Sequence, residues 1–296
     1  MHKLKNMIKL INSIKIFLKS LFLFKPKFFL TLVFIPILYI IGWLLSLPLL
    51  LLNFEKENLS LIGTIFTLIL FIFSMPSWFN IRWEIRNTWK ILGLNKKNLL
   101  ENILHFSQGI FLSLILIILI LIPILNENYI IWLGELSSKI IINGMLLTFG
   151  VGFAEELIFR AWLLEELKLQ FGIKIALISQ AIVFSIAHIR SGTSFGDFSE
   201  TLIGLFLLAI LCSLIRFKDA GSLWGSIGFH GGLVGIWFIL NNGLIEISNE
   251  APIWLVGNDS KNPLGSLYGI TLLTISSIFY FLNFKSQIFK SIKYKK

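Results

Sequence analysis

Residues 152–162 read GFAEELIFRAW. Glu155, Glu156 and Arg160 fall within two helical turns of a chain that is 56% hydrophobic and 14% charged, with mean hydropathy +0.83. Soluble domains carry roughly 25% charged residues and have shorter apolar runs. This composition therefore describes a polytopic membrane protein, and the three ionisable groups lie inside one of its spans. At membrane depth each such group costs at least ~2.5 kcal/mol, so it needs a partner or a purpose.

A span needs about 20 mostly apolar residues. Eight segments qualify: 28–53, 59–79, 106–125, 140–163, 175–189, 201–215, 221–241 and 264–284, the fifth and sixth being short. The expected fold is all-α, a polytopic membrane bundle of about eight transmembrane helices. It reads as one membrane domain over 28–284, with a basic amphipathic segment at 1–27 and a basic tail at 285–296. In that segment lysines alternate with Ile, Leu and Phe, the pattern of a helix lying on a membrane surface rather than of a cleaved leader. The fourth span should continue as helix through 163–170 and stop at Phe171-Gly172.

Charge orients the bundle. With both termini cytoplasmic, 21 Lys and Arg residues fall in inside segments and four in outside loops, Arg160 being the remaining one. That bias follows the positive-inside rule, and a bacterial-type inner membrane is the expected location. It also accounts for the net charge of +10 without nucleic acid, because the basic residues flank membrane. The single cysteine, Cys212, excludes an internal disulfide or a thiolate metal cluster and reads as a small packing residue. Trp78, Trp132 and Trp254 sit near span ends, as interfacial anchors do.

The remaining ionisable groups of the spans are His188 in the fifth and His230 in the seventh. Glu156 and Arg160 are i and i+4 and can pair, while Glu155 projects about 100° away. Glu155 precedes Phe171 by the same number of residues as His188 follows Gly172. In an antiparallel pair both lie roughly 24 Å from that turn and can meet. Gly228, Gly231 and Gly232 beside His230 let another backbone or a substrate come close. Two carboxylates, an arginine and two histidines suit hydrolysis, with Glu155 as general base and the histidines holding water, a metal or an oxyanion. They equally suit a proton relay in an ion-coupled transporter or a buried polar network. The second pair, Glu165-Glu166, has Gln170 at the position of Arg160 and reads as a solvated helix end. Asn241 and Asn242 read as a helix stop.

At these residues the chain resembles the CPBP family of intramembrane proteases, which includes the CAAX prenyl endopeptidases and the bacteriocin-processing or self-immunity proteins. EELIFR at 155–160 fits EExxxR, FSIAH at 184–188 fits FxxxH, and His230 stands where the third motif begins; the likeness covers about 140–241. The resemblance implies a membrane-embedded endopeptidase, glutamate-dependent or metallo-type, acting on a membrane protein or lipidated peptide. Glu155 would activate water, His188 and His230 complete the site, and Glu156 with Arg160 support it. Glu155, His188 and His230 are also the candidate ligands of a divalent metal such as zinc, although they make an incomplete set and no HExxH is present. One departure stands out. The family's third motif is often HxxxN or HxxxD, and the fourth residue after His230 is Val234. His230 itself, donating through one ring nitrogen, is the expected substitute, with Ser226, one turn before it, assisting. A catalytically inactive scaffold that binds partners is the alternative reading.

Overall fold

The computed structural model describes residues 28–52, 54, 56–95, 97–188, 195–258 and 263–290. The basic segment 1–27, with His2, and residues 291–296 of the tail lie outside the described residues. Of the described residues, 83% are helical. Among the described residues, seven helices are long and apolar enough to cross a membrane, and Ile173–Ala187 is a shorter apolar helix. The eight expected segments are therefore all helical, and the fifth is the one that is short. The protein is an integral membrane protein.

The chain divides after Trp89 into two compact units, where the sequence suggests one bundle over 28–284. In the first, α1 (Phe28–Ser46) packs on α2 (Lys56–Trp83). Thr67 donates to the Gly63 carbonyl at 2.8 Å, and the bare Gly42 backbone comes up against it. Small residues let membrane helices approach this closely. Trp78 is buried at 3% exposure, stacked near Phe34 and lying under Arg82, so it is a packing residue and not an interfacial anchor. Trp132 and Trp254 are exposed.

The second unit begins with α3 (Leu99–Asn126), capped by Asn98, whose side chain accepts from the Glu101 amide at 2.8 Å. A short strand β1 (Ile130–Trp132) leads to α4 (Ser138–Phe171), which turns at Gly172 (φ +81) into α5 (Ile173–Ala187). Helices α6 (Phe195–Lys218) and α7 (Trp224–Ile239) follow. Strand β2 (Ile245–Ile247) then pairs antiparallel with β1, Ile131 opposite Glu246, before α8 (Leu267–Lys290).

Helix α7 is the axis of this unit. Its glycines fall on two faces. A Cβ at Gly228 would run into the Phe106 carbonyl oxygen of α3, and one at Gly231 into the Thr148 carbonyl oxygen of α4. Ten of the sixteen residues of α7 are buried in consequence, His230 among them. A core of Leu116, Ile120, Leu211, Cys212, Phe229 and Leu233 closes around it. Cys212 is fully buried, as a packing residue should be.

Candidate active site

Helix α4 is not a uniform α-helix. It is π-wound at Leu147–Val151 and again at Glu156–Leu163, on either side of the turn Gly152–Glu155. Single π turns inside α-helices recur at functional sites, because the wider turn re-aims side chains. The two adjacent carboxylates, about 100° apart around the helix, go to different partners.

Glu155 meets α5. Its Oε2 lies 3.2 Å from His188 Nε2, across the α4–α5 pair that the spacing predicts. The other ring nitrogen, His188 Nδ1, lies 2.8 Å from the Phe184 carbonyl. Glu155 also faces α7, with Oε2 3.8 Å from His230 Nε2. Glu156 reaches the opposite side of the same imidazole: its Oε1 is 2.9 Å from His230 Nδ1 and 3.2 Å from Arg160 Nη1. The Arg160 guanidinium sits 4.0 Å above the Phe184 ring, a cation–π contact sealed from solvent. All five expected residues are thus brought together, from α4, the end of α5 and α7.

Access separates them. Glu156 and Arg160 are fully buried. The side chains of Glu155 and His188 keep 26% and 31% exposure. Glu155, His188 and His230 line a cavity of about 450 Å³, whose other walls are mostly apolar residues of α3, α4, α6 and α7 such as Ile120, Val151, Leu205 and Leu233. Val234 lines it as well, so no side-chain donor follows His230 by one turn.

Two expectations are corrected. Ser226 is fully buried and does not face the cavity; its hydroxyl donates to the Leu223 carbonyl at 2.9 Å and it sits beside Glu156. Glu165 and Glu166 are buried, not solvated. Glu165 pairs with Arg216 at 3.0 Å and Lys168 at 2.5 Å, and Gln170 donates to Glu166 at 2.9 Å. Asn241 and Asn242 lie in the last, π-wound turn Leu240–Leu244, after which the chain becomes extended at Ile245, and both also line the cavity.

Arg216 escapes a sequence reading altogether. It is buried to 1% and donates to the Arg160 carbonyl, within the π-wound segment, and to the Ile91 carbonyl at 2.9 Å. In the sequence it is one basic residue at the inner end of a span.

Two imidazoles and a carboxylate are donor types that suit zinc. Among the described residues, however, no group of three or more His, Cys, Asp or Glu side chains is arranged to hold a metal ion. The Nε2 of His188 and the carboxylate of Glu155 are turned on each other.

Comparison with known families follows the same division of the chain. Residues 137–236 match the family model of type II CAAX prenyl endopeptidase Rce1-like proteins. The matched stretch, here called the Rce1-like domain, lies wholly in the second unit and fits the CPBP resemblance of its motifs. The match spans α4 to α7 up to Ile236 and takes in Glu155, Glu156, Arg160, His188 and His230. Residues 7–87 match a family model described as a domain of unknown function (DUF8676). No curated protein and no solved structure gives a match. The Rce1-like domain thus contains the whole polar cluster, and the likeness to a membrane protease belongs to that part of the chain.

Proposed function

We propose that the Rce1-like domain is an intramembrane endopeptidase in which Glu155 activates water. The observation that carries this reading is the meeting of Glu155, His188 and His230, from three elements, on the wall of one cavity.

Proton accounting supports the roles. The Phe184 carbonyl only accepts, so His188 Nδ1 must carry a proton. A hydrogen bond from Nε2 to an ionised Glu155 then needs a second proton on the ring. The pair shares one proton, and with that proton on His188 the Glu155 carboxylate is free to act as a base. His230 donates through Nδ1 to Glu156, whose charge Arg160 balances, which leaves His230 Nε2 facing the cavity.

The reaction runs as follows. A water beside Glu155 attacks the scissile carbonyl carbon while Glu155 takes one of its protons. The carbonyl oxygen becomes an oxyanion and receives the N–H of His188. The C–N bond then breaks, and the proton on Glu155 passes to the leaving amine. One carboxyl and one amine result, with no metal in any step. The substrate is a membrane-associated protein or lipidated peptide, and both termini of the enzyme face the cytoplasm.

One observation favours a second reading, a catalytically silent partner-binding protein: the apolar Val234 where an amide donor would serve the oxyanion. Full-length protein in lipid nanodiscs, offered membrane peptides and assayed by mass spectrometry, separates the two. Cleavage that disappears in Glu155→Gln supports the peptidase; cleavage that survives it sinks the mechanism.

A further inference from the structure

The cavity has a second polar end. Helix α7 presents His230, Val234, Trp237 and Phe238 to it, the spacing of one helical face, and Asn241 follows in the π-wound turn Leu240–Leu244 that continues α7. Asn241 stands eleven residues beyond His230, about 16 Å along the axis. Thr201 of α6 also lines the cavity. It precedes the α6–α7 turn near Gly221 by the same number of residues as Asn241 follows it, so the two are level across that antiparallel pair. The side chains of Asn241 and Thr201, both part-exposed, make no hydrogen bond among the described residues. Neighbouring Asn242 differs, because its amide donates to the Phe238 carbonyl at 2.9 Å. Between the two polar ends the walls are Leu205, Leu208, Leu233, Val234 and Trp237.

We infer that Asn241, with Thr201 beside it, is a backbone-binding subsite that takes an extended peptide segment about five residues from the scissile bond. An extended chain advances about 3.3 Å per residue, so about five residues span the distance from His230 to Asn241. A carboxamide offers one acceptor and two donors, which match the N–H and C=O of an extended strand regardless of side chain. The apolar waist would take the intervening side chains out of lipid without asking for polar groups. A peptide reaching Asn241 is therefore held at two points, which fixes the position of its scissile bond.

The subsite rests on the peptidase reading, and its test keeps the two apart. Probes are Leu/Ala peptides with one diazirine-bearing residue, lengthened one residue at a time on either side of a central amide. They are offered in nanodiscs to the full chain. Cross-linking reads binding, and mass spectrometry reads cleavage. Binding should rise in one step of about five-fold when one side reaches about five residues, the worth of one or two net hydrogen bonds. Asn241→Leu should remove the step, so that long peptides bind no better than short ones, and Asn241→Gln should restore part of it. A smooth rise with length, as expected of a solvated rim only, overturns the proposal, as does a step that survives Asn241→Leu. If the step is present and wild type cleaves nothing, the subsite stands and the peptidase reading falls. Cleavage without a step has the opposite meaning.

Discussion

Helix α4 carries the dipeptide Glu-Glu twice, at 155–156 and again one π-wound segment later at 165–166, and each copy has an arginine. At the first, Glu156 pairs with Arg160 while Glu155 turns to a cavity and to His188. At the second, Glu165 meets Arg216 and Lys168, Glu166 accepts from Gln170, and both glutamates are buried. Residue type does not separate the pairs. What separates them is that one carboxylate keeps an oxygen where a small molecule can reach it. A sealed ion network can only hold structure, whereas a carboxylate with access to a cavity can exchange a proton with what enters. The two pairs are also physically joined, since Arg216 donates to the Arg160 carbonyl. The sealed pair braces the segment from which the open pair projects.

The largest effect should come from the sealed pair. Arg216→Ala leaves Glu165 with less compensation and two backbone carbonyls each short of one donor. Removing one partner from a buried ion pair costs about 3–5 kcal/mol. We expect a variant that unfolds at markedly lower temperature in nanodiscs. If Arg216→Ala unfolds with the wild type, the second pair is not a brace and the comparison fails on that side.

Next is the open pair. Glu155→Gln keeps the shape and removes the base, so turnover should fall by about 10²-fold or more. Its unfolding should match the wild type, because Glu155 faces a cavity and supports no buried charge network. A loss of stability equal to that of Arg216→Ala would show that the open pair is structural too.

How much of this the sequence carries depends on the kind of signal. Apolar run lengths give the spans, because the bilayer imposes a length on each. The Glu155–His188 contact is legible because Gly172 sets a turn and both residues are the same distance from it. The π turns of α4 are not legible: a change from i+4 to i+5 bonding leaves no composition mark on ELIFRAWL. Ser226 was expected in the site from its one-turn spacing to His230. That spacing fixes the side of the helix only to within a broad arc, and on a helix buried all round every arc has a neighbour. Arg216 is not legible either: its place near a span end is ordinary, and only the packing of other segments brings the Arg160 and Ile91 carbonyls and Glu165 to it.

A smaller effect is expected at Val234, on the cavity wall one turn from His230. Val234→Asn adds a donor to a site where one missing oxyanion hydrogen bond costs about 10²–10³ in rate. If His188 already serves the oxyanion, the new amide should change cleavage by no more than a few-fold, and upward. A wild type without activity that gains it with Val234→Asn would mean that the natural chain is the silent relative.

The smallest effect is expected at Ser226, and it tests which side of α7 belongs to which pair. Its hydroxyl donates to Leu223 and lies beside Glu156, away from the cavity. Removing it deletes one buried hydrogen bond, about 1 kcal/mol of stability, and leaves the Leu223 carbonyl one donor short. A group that never meets the substrate should not alter KM. Any change in turnover should come only through Glu156 and the His230 ring that Glu156 holds. We therefore expect Ser226→Ala to lower the unfolding temperature slightly and to cleave within about two-fold of wild type, since the Glu156–His230 and Glu156–Arg160 contacts do not pass through the hydroxyl. A ten-fold loss of cleavage at unchanged stability would put Ser226 with the open pair. The division between a sealed and an open side of this site would then have to be redrawn.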